Sequence, residues 1–577
     1  MFVRKSKNHK GRVYLSFAQG YRDESGKTKQ KTIEKIGYLD ELEKKYDDPI
    51  AHFKEEAKRR TELEKLENPA QLLVDLSAKL ASDTNNRKNL GYAILHSIYR
   101  ELELHDFFKL KQRKTNASFN LNAIFKLLTY SRILYPASKK ATFEDKDRYF
   151  ESFHFSLDDI YRSLEHFDRY KEEVQTHLHH QIKKNYGRNT DVAYYDCTNY
   201  YFEISYNDED RINEHTGEII KETLRKKGFS KENRRTPIVQ MGLLIDTNGI
   251  PMTYHLFPGN SSEKTSLLPI LKRTKRDFSL GKVIVVADRG LNTSDNIFYN
   301  QRELDGYVFS QTVRGADKEF KAYAIEDTGF TEAADGSRYK WRVHSKDIHI
   351  MRNGKRTCKT NVIQKQVIIY SPKYDKRSKL ERERVIQKAQ SLISDPSKYT
   401  KATSIGAAGY VRNLEYDKKT GEIIDRDLSL DWDKIRDEEK YDGYYAIITS
   451  ELEKTPEEIR EIYSGLWKIE QSFRITKSEF EARPVYLSLD EHIEAHFFIC
   501  FVSLVILRIL EMKLKNKFST ARIINSLKNY SCSHIDENYY LFDYRDDIIE
   551  EVEQVFDVDL SPKVLARKKI KKILAHT

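Results

Sequence analysis

The sequence predicts an α/β protein, a mixed sheet with helices packed on it, set between helical segments. Three observations lead there. From 191 to 313, strand-like stretches joined by hairpin signals give way to strands separated by helical stretches, the pattern of a mixed sheet. From about 88 to 188, apolar residues recur at helical spacing, as in "GYAILHSIYRELELHDFF" and "LNAIFKLLTYSRILY". Between about 315 and 440 the texture breaks into short β-like pieces such as "QKQVIIYSP" among charged loops.

In chain order, "GRVYLSFAQGYRDESGKTKQKTIEKIGYL" reads as a β-hairpin with its turn near "DESGK", and a charged helical stretch follows over about 39–66. "VAYYDCTNYYFEI" is a strand rich in Val, Tyr, Phe and Thr. "IVQMGLLID" (238–246) is a second strand, Asn248-Gly249 a hairpin signal, and "IPMTYHLFPGN" the returning strand. "EKTSLLPILKRTKRDF" has helical periodicity, "KVIVVADRG" (282–290) is a buried strand, and "TSDNIFYNQREL" is a helix capped by Thr293 or Ser294. "GYVFSQTV" (306–313) is the fifth strand. A long helix runs from Thr455 to about Phe480, opened by Thr455-Pro456-Glu457-Glu458 with a cap, a proline at the first helical position and a glutamate at the third. The chain closes on "PKVLARKKIKKILAHT", six basic residues and no acid.

Composition narrows the function. A chain of 577 residues suggests roughly three to four domains. Its formal net charge of +11 favours nucleic acid over a membrane as partner. Cys197, Cys358, Cys500 and Cys532 lie far apart with no CxxC pair, which argues against a zinc finger or a disulfide framework and fits a reducing cytoplasm. The N-terminus has no apolar signal core, and the greasy run "FFICFVSLVIL" (497–507) is shorter than the roughly 20 residues of a membrane span. It reads as a buried helix.

The chemistry lies in three acids. Asp196 sits in the middle of an apolar strand, where strands disfavour carboxylates, and Asp288 ends the "VIVVA" strand. Tyr463, Glu470 and Lys477 are spaced by sevens, nearly two helical turns, so they project from one helix face. Singly, an Asp at a strand end is ordinarily a cap or turn residue, and a Glu on a long helix is ordinarily surface. Together they form a carboxylate cluster at the end of one sheet, which is tolerable when a hard cation such as Mg²⁺ occupies it.

These residues resemble the DDE transposases of bacterial insertion sequences, most of all insertion sequence family four and its relatives, which carry a Tyr-x2-Arg-x3-Glu-x6-Lys signature. Here the signature is Tyr463, Leu466, Glu470 and Lys477, with leucine where arginine is expected. "YYDCTNYYF" and "VIVVADRGL" match the two Asp motifs, and "GIPMTYHLFPGNSSEKTSLLPIL" and "RPVYLSLDEHIEAHFFICFVSLVI" resemble flanking segments, so the likeness covers about 190–510. It implies a ribonuclease-H-like catalytic core with a β-rich insertion before the last acid. The expected division is 1–87 hairpin plus charged helix, 88–188 helical DNA-binding domain, 189–314 first part of the core, 315–440 β-rich insertion, 441–510 second part with the Glu helix, and 511–577 helical basic tail. Asp196, Asp288 and Glu470 would bind two Mg²⁺, with Mn²⁺ substituting, for phosphodiester hydrolysis and strand transfer. Tyr463 and Lys477 would hold backbone phosphate. The implied partners are double-stranded DNA, as terminal inverted repeats and target, and a second copy of the chain, with no membrane. Competing functions are a nuclease of the same fold without strand transfer and a catalytically impaired DNA-binding relative.

Other residues carry two readings each. Arg289 touches DNA or pairs with a neighbouring carboxylate. Trp467 stacks on a displaced base or packs in the core. Leucine in place of arginine at 466 weakens activity, or Lys468 or Arg474 stands in for the missing arginine. Thr198, on the face of Asp196, supports the site or simply packs. Lys568, Lys569, Lys571 and Lys572 meet DNA or form a solvated helix end. His492 and His496 lack a third ligand and read as core or surface residues, and "HLHH" (177–180) as a solvated helix face. With about eight phosphate contacts, log K for DNA would fall with log salt at a slope of about −7.

Overall fold

A computed structural model describes residues 1–9, 11–22, 28–67, 79, 85–213, 215–352, 355–395, 407–412, 428–536 and 538–576, in two units, Met1–Asn85 and Asn86–Thr577. In the first unit, β1 (Phe2–Lys7), β2 (Val13–Arg22) and β3 (Thr28–Tyr38) form an antiparallel sheet in that order. The expected hairpin is β2–β3; its turn near "DESGK" lies outside the described residues, and β1 was not anticipated. Leu15, Phe17 and Ala18 of β2 are buried, with Phe17 edge-on to Phe53 of the Pro49–Glu67 helix. Lys29, Lys31 and Lys35 of β3 stay exposed.

The second unit starts with β4 (Arg87–Asn89) and a helical layer, Tyr92–Glu101, Leu121–Leu134 and Leu157–Tyr186 among others. The last of these begins with a Ser156–Asp159 capping box and ends at Gly187, whose φ of +63° suits a residue without Cβ. This layer does not close a core of its own: Phe125, Phe167 and Leu178 belong to one continuous apolar cluster with the Asp490–Lys513 helix. That helix is long and apolar enough to cross a membrane, although its apolar run had suggested otherwise; 94% of its apolar window is buried inside the protein.

A nine-stranded sheet forms the centre. Its strands are β5 (Val192–Tyr201), β8 (Ile238–Ile245), β9 (Pro251–Pro258), β10 (Ile284–Ala287), β11 (Gly306–Gln311), β12 (Thr331–Glu332), β13 (Arg338–Arg352), β14 (Lys355–Tyr370) and β17 (Tyr444–Thr449). Between them β6 (Arg211–Ile212) pairs with β7 (Ile219–Lys221), and β15 (Val411–Arg412) with β16 (Ser429–Leu430). The order is β12-β13-β14-β17-β11-β10-β5-β8-β9. β10 is parallel to β5 and to β11, while β8, β9 and β17 run antiparallel to their neighbours. The expected strands and helices of 192–311 are all present, and Gly249 turns the β8–β9 hairpin at φ +84°.

Two expectations change here. Within the β-rich insertion expected over 315–440, the long β13–β14 hairpin extends the central sheet, because β14 pairs with β17 from Lys365 to Tyr370, and Lys318–Ile325, Pro372–Ser394 and Trp432–Glu439 are helices. The C-terminal tail is not purely helical. β18 (Ser531–Asp536), β19 (Tyr539–Phe542) and β20 (Val564–Ala566) join β4 in a four-stranded sheet, a pairing between the two ends of the unit that local sequence does not announce.

Candidate functional site

The register of the sheet places the two aspartates. β5 pairs with β10 at Val192↔Ile284, Ala193↔Val285 and Tyr194↔Val286. Two residues further along each strand are Asp196 and Asp288, on the same side of the sheet and one strand spacing apart. Next along is Ser310, since Ala287 faces Phe309 on β11; its hydroxyl donates to Asp288 Oδ1 at 2.7 Å. β10 has four residues and stops at Ala287, so β5 loses its neighbour on that side at Asp196. That gap is why a mid-strand carboxylate is tolerable here. Asp196 Oδ1 accepts the Cys197 N–H at 2.7 Å. Burial, with smaller contributions from Glu263 and Asp288, pushes its carboxyl up to about 6, against the nearby Lys231.

The third acid comes from the helix laid across this face. The long expected helix is three pieces: Pro456–Ser464, Trp467–Arg474 and a π-type stretch Ile475–Glu479. The capping box at Thr455 and Glu458 is as the sequence implied. The first break falls at Gly465, where the chain touches β5. A Cβ there would lie 2.1 Å from the Tyr194 hydroxyl, so only glycine allows the approach. The π-type stretch docks on the far end of β5, where Tyr200 Oη and Thr476 Oγ1 are 2.6 Å apart. Leu466 is buried in the core rather than facing the site.

These breaks set where each side chain goes. Tyr463 reaches the Ser310 hydroxyl and lies within the fields of Asp288 and Glu470; burial first, and those charges after it, push its phenol up to about 12. Lys477 lies at the Asp196 end, half-buried, with Glu232 at 3.7 Å. Burial and then Lys231 push its ammonium down to about 8, against the pull of Asp196. Thus Tyr463 and Lys477 flank the acids at opposite ends. Among the described residues no three Asp, Glu, His or Cys side chains stand together as a ready metal cage. Asp196 and Asp288 form the close pair, and Glu470 is exposed, with the Tyr463 phenol in the field of both Asp288 and Glu470.

The remaining candidates divide clearly. Trp467 is 56% exposed, which removes the core-packing reading. Arg289 and Arg474 are exposed beside the acids, with no ion pair among the described residues. Lys468 is committed elsewhere, donating to Thr247 O at 2.7 Å. Thr198 is buried in the strand. His496 is a core residue between Lys139 and the Ala482 carbonyl, and His492 packs beside Tyr161. Within "HLHH", His179 is buried and stacked on Phe278 rather than solvated. Lys568, Lys569, Lys571 and Lys572 are exposed on the Arg567–His576 helix.

Sequence reasoning missed four residues. Lys231 donates to Cys197 O at 2.6 Å and pairs with Glu263 at 3.0 Å, placing a cation and a fourth carboxylate beside Asp196. Ser310 is the third. Arg508 is the fourth: it donates to Gln471 Oε1 at 3.0 Å, Ser472 Oγ at 2.8 Å and Lys468 O at 3.2 Å, bracketing Glu470. A lone arginine inside "FVSLVILRIL" was the available signal.

Comparison with known proteins identifies the family. The family model of the transposase DDE domain matches residues 213–506, just over half the chain, a span that includes Asp288 and Glu470 and begins after Asp196. The model of the N-terminal domain of IS1634 family transposases matches residues 3–70. No curated protein matches the chain. Among solved structures, it is similar to the piggyBac transposase in a synaptic complex with hairpin DNA, at 9% identity over 76% of each chain and a TM-score of 0.33. It is also similar to a pre-cleavage Mos1 transpososome, at 11% identity over 31% of this chain and 56% of that one, TM-score 0.13. The chain therefore belongs to the DDE transposases, enzymes of DNA transposition.

Proposed function

We propose that Asp196, Asp288 and Glu470 are the catalytic carboxylates of a ribonuclease-H-like core that hydrolyses the phosphodiester at transposon terminal repeats and joins the freed 3′ end to target DNA. The observation that carries this reading is the register, which sets Asp196 opposite Asp288 with the Glu470 helix across them. The donor set suits a hard divalent cation: two carboxylates on neighbouring strands, one of them penalised by burial for carrying its charge. Asp196 and Asp288 would hold Mg²⁺, or Mn²⁺ in its place, with Glu470 as the third carboxylate. Bound there, two such ions would supply an acidified water and neutralise charge on the phosphoryl oxygens.

The protein's own groups act around that chemistry. Lys477 and Lys231 bring two ammonium groups to the Asp196 end, where a phosphate would meet point charges. Tyr463, held at Ser310, offers a hydroxyl at the other end. Arg289, Arg474 and Trp467 present exposed cations and a ring to the strand. The helical segment 88–188 would serve DNA binding, a homodimer would hold two ends together, and the reaction would take place in a bacterial cytoplasm. Kinship with insertion sequence family four rests on the Tyr463, Glu470 and Lys477 spacing, beside the N-terminal match to the IS1634 family.

The test is cleavage of a labelled duplex carrying the element's terminal repeat, with Mg²⁺ or Mn²⁺, by the native protein and by Asp196→Ala and Glu470→Ala. Cutting at the repeat end, lost in both variants, is expected, and joining to a second duplex separates a transposase from a nuclease. Repeat binding without cutting by the native protein would favour a catalytically impaired relative. In that case Leu466→Arg is no remedy, because it would place an unpaired charge in the core.

A further inference from the structure

Behind the segment that follows the Glu470 helix lies a cavity of about 290 Å³, with Arg132, Lys139, Arg483 and His496 in its wall. Arg132 and Lys139 are only 7% and 6% exposed. A cation so deeply buried ordinarily faces a carboxylate. Arg188 in the same unit does, with Asp246 at 2.9 Å. Among the described residues, neither Arg132 nor Lys139 has an ion pair. Arg132 donates to the Phe480 and Ala137 carbonyls, and its Nε has no partner.

Lys139 Nζ has one acceptor, His496 Nδ1 at 3.1 Å. The other ring nitrogen of His496 donates to the Ala482 carbonyl at 3.2 Å, which assigns the lone pair to Nδ1 and leaves the imidazole neutral. Burial, then the neighbouring Arg132, push the Lys139 ammonium down to about 7. Glu481, also in the wall, is exposed and among the described residues pairs with neither cation. Two buried basic side chains thus line a cavity whose one carboxylate, exposed Glu481, engages neither of them among the described residues.

The cavity also has an address. Arg483 in its wall pairs with Glu232, and Glu232 pairs with Lys477 at 3.7 Å, the lysine at the Asp196 end of the site. We infer that this cavity is a phosphate-binding subsite, and that it takes a backbone phosphate of the DNA strand held at Lys477. The DNA half of that statement rests on the catalytic reading above. The cavity is at the small end for ligand sites, which suits a phosphodiester group rather than a base pair. Phosphate oxygens offer acceptors to both the free guanidinium N–H and the ammonium.

The test uses the full chain, native and Lys139→Met, with Lys139→Gln as a second variant should the first not fold. Melting is followed with and without inorganic phosphate at constant ionic strength, and binding of a labelled terminal-repeat duplex is followed against salt. Without phosphate, Lys139→Met should melt no lower than the native protein, because it removes a buried unpaired cation. Phosphate should raise the native Tm and leave the variant's unchanged. The slope of log K against log salt should become shallower by about 0.9, the loss of one phosphate contact. A phosphate-dependent Tm rise lost in the variant, with equal DNA slopes, would assign the subsite to free phosphate instead of DNA. No phosphate effect on the native Tm together with equal slopes overturns the inference, as does collapse of both variants, which would make Lys139 structural. The phosphate arm contains no DNA, so its result stands even if the native protein fails to cleave a repeat.

Discussion

The strand side and the helix side of the candidate site hold their acids by opposite means. Asp196 and Asp288 are placed by a ladder: three register pairs between β5 and β10 fix both, and Ser310 one strand over steadies Asp288. Glu470 rides on a helix broken at Gly465 and widened after Arg474, so its position depends on what the helix rests on. Below it is Tyr194 of β5, and behind it is Arg508 of the Asp490–Lys513 helix. The difference teaches that a strand acid is secured by neighbours of regular backbone, whereas a helix acid is secured by a few side chains from distant parts of the chain.

Breaking the helix side should therefore cost most. Arg508→Met leaves Glu511, 2.8 Å away and buried, without its cation, and frees Gln471 and Ser472 beside Glu470. The expected loss is about 3–5 kcal/mol in urea unfolding. A loss near zero would mean that Arg508 does not hold this helix.

Gly465→Ala comes next. Its Cβ would collide with the Tyr194 ring and hydroxyl, so the helix must lift off β5, at about 1–3 kcal/mol. Cleavage should fall further than stability does, since the lift displaces Glu470 from the strand pair. Wild-type cleavage by this variant would show that close packing at Gly465 is not needed to place the acid.

The strand side can be sharpened through its titration. The Asp196 carboxyl is raised from 3.8 to about 6, so ionising it costs the folded protein. Asp196→Asn removes that cost. In the metal-free protein it should stabilise by about 2 kcal/mol above pH 6, the shift converted to energy and reduced for partial solvent access. The gain should fade as pH falls from 6 towards 3.8 and vanish below, where folded and unfolded chains are both protonated. Melting curves with a chelator from pH 3.5 to 8 measure it, and a gain independent of pH would refute the burial argument. The smallest effect is expected at Ser310→Ala, about 0.5–1 kcal/mol, because Asp288 is exposed and the β10–β11 ladder remains. A loss as large as that of Arg508→Met would erase the distinction between the two sides.

What could be read from the sequence alone was local. The strands at 192–201, 238–245, 251–258, 284–287 and 306–311 announce themselves by composition and hairpin signals, and the caps at Thr293 and Thr455 by residue type. The three acids were legible because a carboxylate inside an apolar strand, another at a strand end and a Tyr, Glu, Lys spacing of seven are all short-range patterns. Only the tertiary structure decided the rest. It chose the breaks at Gly465 and Ile475, since those answer to Tyr194 and Tyr200 on another element. It brought Lys231 and Glu263 to Asp196, set Arg508 behind Glu470, joined β4 to β18 and merged the 88–188 helices into one core. The physical reason is range: propensity, capping and register act over a few residues, whereas these pairings are selected by packing and desolvation among segments far apart in the chain.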